Sequence, residues 1–461
     1  MKNMKNEKVE KIKKDNKKSK LNKKILESKK IIEEEKKKIR IEKKNIRDKK
    51  KEKFRKFFVS KILRIDVNKN MYSSKEIVTL FVGSFLVGIF TCIVVITILT
   101  GGRNYFKLSK DLGKFFDVYE TLTDNYYDNI DKELLVEEAI DGMVSSVGDV
   151  YTSYVDTYES DEFNELVSGT YEGIGCTIQM QDDGLKVIEV FDDSPAKKAG
   201  LKAEDIILKV DDMEVNEENN AEVLSNYIKN EADEKIVMVI SRNDEEKTLN
   251  IKRGKVETPV VSSVVYDKND KKIGYIGIEI FSSVAGKQFE KELKELEKEN
   301  ISGLVIDVRG NNGGYLTSVT DIAQLLLPKG KIIYQVEKDE KRNVTRDKTD
   351  TSRKYPIAVL TNDNSASASE ILSAAIKESY NNGYVVGTKT YGKGTVQQVK
   401  TLADGSMIKY TVENWLTPDG NWINGYGIEP TDEIVFDTKY WDDQKPENDN
   451  QLQKALDLVS K

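Results

Sequence analysis

Three segments of the chain place hydroxyl, amine and amide groups where they could carry out catalysis. The segment NDNSASASEI holds Ser365, Ser367 and Ser369 where a strand is expected to end and a helix to begin. A serine at a helix N-terminus benefits from the helix dipole and lies beside free amides that can stabilise an oxyanion. The alternative is that these hydroxyls only cap the helix, and for any one serine taken alone capping is the better explanation.

The segment TKTYGKGTVQQV places Lys393 between Gly392 and Gly394, which allow an unusual backbone and a close approach. Taken alone, this lysine is best explained as an ordinary exposed cation. A lysine buried beside a hydroxyl can lose its proton and act as a general base, because desolvation lowers its pKa. The chain has no histidine, which excludes Ser-His-Asp and Cys-His systems and His-ligated zinc or haem. Lys393 is therefore the best candidate to activate a serine nucleophile.

The segment GLVIDVRGNNGG, residues 303–314, predicts a buried strand that ends in a polar, glycine-rich turn. Backbone amides in such a turn can point at an oxyanion. Phosphate binding is an alternative, but no G-K-[ST] follows Gly314. A purely structural turn also remains open.

The segment YEGIGCT contains a Gly-x-Gly turn, Gly173, Ile174 and Gly175, that opens onto a predicted strand. Its amides can point at the carboxylate of a peptide C-terminus, although an ordinary turn is the better explanation of this segment taken alone. The later stretch SPAKKAGLKAEDIILKVDD resembles the helix-turn-strand core of PDZ domains, although Glu204 stands where that family commonly has glycine. The two stretches together predict a β-rich PDZ domain over residues 168–254 that takes a chain end by β-addition.

The elements that must position these segments predict a multidomain α/β (α+β) protein. Residues 105–165 are predicted as a helical cap region, in which Phe115, Val118, Tyr119 and Leu122 have the spacing of one buried helical face. Residues 256–436 alternate β-branched strands with helices, which favours an α/β catalytic core with its sheet covered on both faces. Residues 437–461 are predicted as a polar C-terminal segment that ends in a short helix.

An uncharged apolar run over residues 77–102 is longer than the roughly 20 residues that span a bilayer. We predict one transmembrane helix over residues 77–100. A signal peptide fits poorly, because the run lies far from the N-terminus and lacks an A-x-A-like end; a buried core helix is the other alternative. Residues 1–76 hold 30 Lys and Arg against 12 Asp and Glu, although the whole chain carries −6. The positive-inside rule then predicts a basic cytoplasmic tail, with the catalytic region outside the cell membrane.

The composition also limits the partners and cofactors. A solvated helix or a disordered segment is the better explanation of the basic tail, and attraction to anionic lipid is the alternative. The tail lacks interleaved aromatics and any reader motif, so no nucleic acid is expected. Cys92 and Cys176 cannot form a disulfide scaffold or a four-thiolate site, and Cys176 is interpreted as a packing residue. Neither a metal nor an organic cofactor is expected.

The segments together resemble the carboxyl-terminal processing (tail-specific) serine proteases over roughly residues 110–435, from the lead-in YTSYVD to the closing GYGIEPTDEI. The resemblance implies that Ser367 is the nucleophile and Lys393 the general base. It implies that Gln397, placed one helical turn beyond Lys393, holds that lysine, and that the amides of Gly313 and Ala368 form the oxyanion hole. The family often has Asn-Pro-Gly-Gly where this chain has NNGG. Glu378 falls near an aspartate of some members, and no catalytic role is assigned to it.

The sequence thus predicts a membrane-anchored serine endopeptidase whose PDZ domain captures protein substrates by an accessible C-terminus. It leaves open whether copies of the chain form a homo-oligomer. One rival is a PDZ-based peptide-binding protein with an inactive protease-like domain. Another is a protein whose basic tail dominates function by recruiting a cytoplasmic partner or lipid.

Overall fold

A computed structural model describes residues 47–53, 73–99, 105–181 and 184–461. The chain divides into two compact units, Met1–Ile130 and Asp131–Lys461. The first unit contains a helical stretch over residues 47–53 (α1) and the helices α2 (Ser74–Leu99) and α3 (Tyr105–Asn125). Most of the predicted basic tail therefore lies outside the described residues.

Helix α2 corresponds to the apolar run of the sequence. Of the described residues, Ile77–Val95 is the one stretch long and apolar enough to cross a membrane, with a mean hydropathy of 2.5. Its large side chains, Phe81, Phe85 and Phe90 among them, are exposed. Apolar exposure around a whole helix is what a lipid-facing segment requires.

Helix α3 differs from its prediction, because Phe115 and Val118 are 44% and 50% exposed. Tyr119 and Leu122 are only half-buried. The i, i+3, i+4, i+7 spacing predicts an apolar face along the helix, but it does not predict what covers that face.

The second unit begins with α4 (Lys132–Ser145), the short strand β1 (Ser153–Val155) and α5 (Thr157–Ser168). The predicted cap region over residues 105–165 is therefore not wholly helical. Strand β1 pairs antiparallel with a strand more than 250 residues further along the chain, with Ser153 opposite Lys409. Such a long-range pairing leaves no trace in local periodicity.

A β-rich domain follows, as the sequence predicts. Two strands, β2 (Thr170–Gly173) and β9 (Gly254–Glu257), pair at its base. Its main sheet has the order β3-β4-β5-β7-β8, with β6 on β5; the strands are β3 (Cys176–Gln181), β4 (Gly184–Val190), β5 (Ile206–Val210), β6 (Met213–Glu214), β7 (Lys235–Arg242) and β8 (Glu245–Lys252). The helices α6 (Pro195–Ala199) and α7 (Ala221–Asn226) cover this sheet.

The turn between α6 and β5 explains the unusual residue of the PDZ-like stretch. Glu204 adopts a φ of 72°, in the left-handed region that favours glycine. Its carboxylate forms an ion pair with Lys186 at 2.7 Å. Glutamate is thus tolerated where related sequences commonly carry glycine.

The α/β core is built on a six-stranded sheet of order β10-β11-β12-β15-β16-β19, parallel from β11 to β19. The strands are β10 (Val261–Lys268), β11 (Lys271–Ile278), β12 (Gly303–Asp307), β15 (Ile357–Thr361), β16 (Gly383–Gly387) and β19 (Asp432–Glu433). One face packs against α8 (Ala285–Lys298), α9 (Leu316–Leu326) and α10 (Ala368–Ser379). Side chains alternate along a strand, so Leu304 and Ile306 join that face while Val305 faces the other.

The prediction that residues 437–461 form a polar segment is wrong for the final helix, which covers the opposite face of this sheet. Helix α11 (Asn450–Val459) packs Leu452, Ala455 and Leu456 against Val305 and Leu360. Its apolar residues are spaced three and four apart, so the helix is amphipathic and completes the second layer of the core.

A second sheet beside the core has the order β1-β18-β13-β14, with β17 also paired to β18. Its remaining strands are β13 (Ile332–Lys338), β14 (Lys341–Arg346), β17 (Thr395–Thr401) and β18 (Met407–Leu416). Strand β18 is therefore the one to which β1, β13 and β17 all bind.

A largely buried ion-pair network joins α11 to the core. The guanidinium of Arg309 donates to Asp307 at 2.6 Å, to Asp449 at 2.8 Å and to Gln451 at 3.0 Å. The Asp307 carboxylate also accepts from the hydroxyl of Tyr275 at 2.9 Å. This network joins the end of β12 to the first turn of α11.

We expect Arg309→Ala to lower the free energy of unfolding by about 3 kcal/mol, because it leaves the buried carboxylate of Asp449 and the largely buried one of Asp307 without their cation. Denaturant unfolding measures the change. Arg342→Ala is the matched control, because Arg342 pairs with Glu337 at the surface and such pairs contribute at most about 1 kcal/mol. Equal losses in the two variants would contradict the structural role of Arg309.

Candidate active site

The three serines of the SASAS segment have different environments. Ser365 and Ser369 are fully buried, and their hydroxyls donate to the carbonyls of Val308 and Asn311, each at 2.8 Å. Ser367 is half-buried and borders a cavity of about 440 Å³. Of the three hydroxyls, only that of Ser367 is available for chemistry.

Ser367 also has a strained backbone, with a φ of 54° and a ψ of −110° at the N-terminus of α10. A non-glycine residue at positive φ is uncommon and persists where surrounding contacts fix it. The amide of Ser367 donates to Glu370 Oε2 at 2.8 Å, one turn into the helix.

Lys393 lines the same cavity from the loop between β16 and β17. Its amine lies 5.0 Å from the centroid of the Tyr151 ring, and its carbonyl accepts from the indole of Trp415 at 2.6 Å. Burial lowers the pKa of Lys393, and the positive charge of Lys409 lowers it further; the carboxylates of Glu370 and Asp149 act in the opposite direction.

The carboxylate of Glu370 connects the serine to the lysine. It is fully buried and accepts four hydrogen bonds. Oε1 accepts from Thr390 Oγ1 at 2.6 Å and from the amide of Gly392 at 2.7 Å. Oε2 accepts from the amides of Ser367 at 2.8 Å and Lys393 at 2.9 Å. One oxygen atom therefore binds the backbone of both residues.

Burial raises the pKa of Glu370, and the four hydrogen bonds oppose that rise. Sequence reasoning missed this residue. The signal was present, because Ser367 and Glu370 have the S-x-x-E spacing of a capping box before an apolar helix. The spacing predicts that the glutamate binds the Ser367 amide, but not that it also binds the Thr390–Lys393 loop.

The predicted oxyanion-hole residues lie next to Ser367. A Cβ on Gly313 would be 2.8 Å from the Cβ of Ser367 and 3.0 Å from the Ala368 nitrogen, so only glycine fits there. The Ala368 amide is at the first residue of α10 and is one of those that intrahelical hydrogen bonds leave free. The Gly313 amide instead donates to Asn311 Oδ1 at 2.8 Å.

Gln397 differs from its prediction, because it lies in strand β17 rather than one helical turn after Lys393. Its side chain borders the cavity. Its amide nitrogen donates to Thr395 Oγ1 at 2.8 Å and to Thr411 Oγ1 at 3.2 Å, so it is not bonded to Lys393. Glu378 is bound elsewhere, accepting from the amide of Asp419 at 2.8 Å.

The predicted peptide-binding residues Gly173, Ile174 and Gly175 border a second cavity, of about 220 Å³, in the β-rich domain. Its lining is mainly aliphatic and includes Ile178 and Ile228. Cys176 also borders it, and burial raises the pKa of this thiol to about 12. A thiol that stays protonated is unreactive, in agreement with the prediction of a packing residue.

Profiles of known families match three successive parts of the chain. They are "Activating protease CtpB N-terminal domain" over residues 97–159, "PDZ domain" over residues 173–252 and "Peptidase family S41" over residues 272–434.

The chain is also similar to whole proteins. It is 40% identical over 329 residues to the carboxy-terminal processing protease CtpB of Bacillus subtilis (strain 168), covering 70% of this chain and 67% of that protein. A probable CtpA-like serine protease of Staphylococcus aureus (strain COL) is 35% identical over 331 residues, 71% of this chain and 65% of that protein. The chain thus spans about two thirds of the length of these relatives. Among solved structures, the photosystem II D1 C-terminal processing protease matches with a TM-score of 0.42 and 25% identity, over 72% of this chain and 87% of that one.

The family profiles and the two relatives define a serine-type peptidase that carries a PDZ domain, on the mixed α/β fold described above. The chain belongs to the carboxyl-terminal processing serine proteases, peptidase family S41. The predicted family and enzyme class are thereby confirmed.

We expect Glu370→Gln to reduce turnover by about 10-fold or more, as loss of a buried partner of site residues commonly does. The new amide nitrogen would face backbone N–H groups and release either Ser367 or the Lys393 loop. Cleavage of an unstructured protein by the full chain in detergent measures the loss. Glu378→Gln, on the same helix but away from the cavity, should leave turnover near the wild-type rate. Wild-type turnover by Glu370→Gln would refute the proposed link.

Proposed function

We propose that the chain is a membrane-anchored serine endopeptidase that cleaves by a Ser367–Lys393 mechanism after capturing protein substrates by their C-termini. The observation that carries the proposal is the shared Glu370 Oε2, which accepts from the amides of both residues at the edge of one cavity. A common acceptor fixes the two backbones relative to each other, which is what a nucleophile and its base require.

In this mechanism, Ser367 Oγ attacks the scissile carbonyl while the neutral amine of Lys393 takes its proton. The resulting ammonium then protonates the leaving amine, so the peptide C–N bond breaks and an acyl-enzyme remains. Water, deprotonated by Lys393, hydrolyses the ester and restores the serine. The lowered pKa of Lys393 supports this role, because a larger share of the amine is neutral near pH 7.

The developing oxyanion would accept from the Ala368 amide at the N-terminus of α10, where the helix dipole also favours negative charge. The Gly313 amide becomes a second donor only when Asn311 releases it. Each such donor typically contributes roughly 3 kcal/mol to the transition state. We therefore assign Ala368 the primary role and Gly313 a conditional one.

The PDZ domain would bind the substrate's chain end by β-addition, with its carboxylate at the Gly173–Gly175 turn. The aliphatic lining of the adjoining cavity favours substrates whose last side chain is apolar. Captured in this way, the chain would reach the catalytic cavity as an extended segment.

The membrane assignment rests on α2 and on charge. Residues 1–76 carry an excess of cations, while the remainder of the chain is acidic. With α2 as a single span, the positive-inside rule leaves the tail in the cytoplasm and the PDZ and catalytic regions outside the cell.

We expect Ser367→Ala to lower cleavage of an unstructured protein with an apolar C-terminus by at least about 10³-fold. Ser365→Ala and Ser369→Ala are matched controls that remove buried hydroxyls from the same segment, and they should affect stability more than chemistry. The measurement is turnover by the full-length chain in detergent, together with affinity for a C-terminal peptide. Equal cleavage by Ser367→Ala would overturn the mechanism. Peptide binding without turnover in the wild type would favour the rival binding protein.

The pH dependence gives a second prediction. Activity should rise with pH through the pKa of Lys393, because only the neutral amine is a base. Lys409→Gln removes a nearby positive charge, so it should raise that pKa, move the midpoint of the pH–rate profile to higher pH and lower activity at pH 7. Lys400→Gln, an exposed cation on the adjacent strand, should leave the midpoint in place. A shift of the Lys409→Gln midpoint to lower pH would contradict Lys393 as the base.

A further inference from the structure

The segment 149–152, just before β1, lies behind residues that line the catalytic cavity, although no residue in it belongs to the predicted site. Antiparallel pairing of β1 with β18 brings it there. The amide of Thr411 on β18 donates to Thr152 Oγ1 at 3.3 Å, which fixes the segment beside this strand. The pairing therefore places a carboxylate and an aromatic ring, Asp149 and Tyr151, next to residues of the site.

Asp149 is held by three hydrogen bonds. Its Oδ2 accepts from the hydroxyls of Thr152 and Thr411, both at 2.6 Å, and its Oδ1 accepts from the amide of Tyr151 at 3.1 Å. Partial burial acts to raise the pKa of Asp149, but these hydrogen bonds outweigh it and lower the pKa. The side chain is thus a carboxylate at neutral pH, and it can only accept.

This charge determines the direction of the next hydrogen bond. The hydroxyl of Thr411 has one proton, which it donates to Asp149. Its oxygen can then only accept from Gln397, whose Nε2 lies 3.2 Å away. With Nε2 also bound to Thr395, the carbonyl oxygen of Gln397 is the end without a hydrogen-bond partner among the residues that the structure describes.

Tyr151 acts on the lysine itself. Its ring centroid lies 5.0 Å from Lys393 Nζ. An aromatic face at this distance attracts an ammonium group and restricts the space open to the side chain. Asp149 thus reaches Gln397 on β17 through Thr411, and Tyr151 reaches Lys393 in the loop before β17.

We propose that the segment 149–152 positions the catalytic base. Asp149, acting through Thr411, holds the Gln397 carboxamide so that its carbonyl oxygen is the end available to the Lys393 amine, and Tyr151 covers that amine. Asp149 and Tyr151 are positioning residues, which act through Gln397 and Lys393. The inference rests on the proposed role of Lys393 as the base.

The charges around Lys393 predict how replacing Asp149 should change the pH–rate profile. Glu370 faces the amine from α10, Lys409 from β18, and Asp149 and Tyr151 from the segment before β1. Tyr391, two residues before Lys393, lies near Tyr151. Replacing Asp149 by asparagine removes one negative charge that favours the ammonium. The midpoint of the pH–rate profile should therefore move to lower pH while the maximal rate falls.

The test compares Asp149→Asn, Thr411→Val and their combination in the full-length chain in detergent. Each single variant should lower kcat by about 10-fold or more with little change in KM. Both substitutions break the same chain of hydrogen bonds from Asp149 through Thr411 to Gln397. The double variant should therefore be no slower than the slower single variant. Thr411→Ser keeps the hydroxyl and should restore most of the rate.

The chain supplies a matched control on the same two strands. Gln397 stands opposite Thr411, and the next pair, Gln398 opposite Tyr410, faces the other side of the sheet. The hydroxyl of Tyr410 donates to Gln398 at 3.4 Å in an exposed position. Tyr410→Phe removes that hydroxyl and should leave kcat unchanged.

Three outcomes would overturn the inference while leaving the proposed function intact: wild-type kcat in Asp149→Asn, losses that multiply in the double variant, or a lower rate with an unmoved midpoint. If Asp149→Asn lowers the melting temperature, Thr411→Val and Thr411→Ser decide whether the Thr411 hydroxyl positions Gln397. The first removes the hydroxyl at nearly constant shape, and the second keeps it. Failure of the proposed function differs, because the wild type itself would then show no cleavage.

Discussion

The site depends on one buried carboxylate. Glu370 accepts four hydrogen bonds, two on each oxygen, from the first turn of α10 and from the loop Thr390–Lys393. Separating the two segments would leave these donors unpaired in the interior. Each unpaired donor raises the free energy by its desolvation penalty, so the bonds hold the segments together. The same bonds stabilise Ser367 at its positive φ. Strain at the serine and burial of the glutamate are thus two aspects of one arrangement.

Two sheets position different residues around Glu370. The parallel sheet, covered by helices on both faces, ends its strands β12 and β15 at the turns that carry Gly313 and Ser367. Strand β18 of the second sheet binds β17, which carries Gln397, and β1, which follows Asp149 and Tyr151. The cavity lies where the two sheets meet the first turn of α10. Strands β17 and β18 thus form one wall of the cavity, and the turn that carries Gly313 and the loop that carries Lys393 complete it.

The sequence predicted the elements better than their long-range partners. Runs of β-branched residues gave the core strands, and the turn motifs gave the PDZ domain. The sequence predicts a short helix at the C-terminus, but it does not show that this helix packs on the second face of the core sheet. Counting one helical turn from Lys393 predicts the wrong element for Gln397, because the segment TVQQV forms the strand β17 that pairs with β18. Asp149 could not be found locally, because its hydrogen-bond partner Thr411 is 262 residues away.

In the proposed mechanism, Glu370 aligns Ser367 with a neutral Lys393 for attack. The most direct measurement is acid quenching of the full-length chain during turnover of an ester substrate, followed by mass spectrometry of the peptides. This alignment predicts an acyl group on Ser367 in the wild type, and its loss in both Lys393→Met and Glu370→Gln. Acylation at another residue, or undiminished acylation of Ser367 in Lys393→Met, would contradict it.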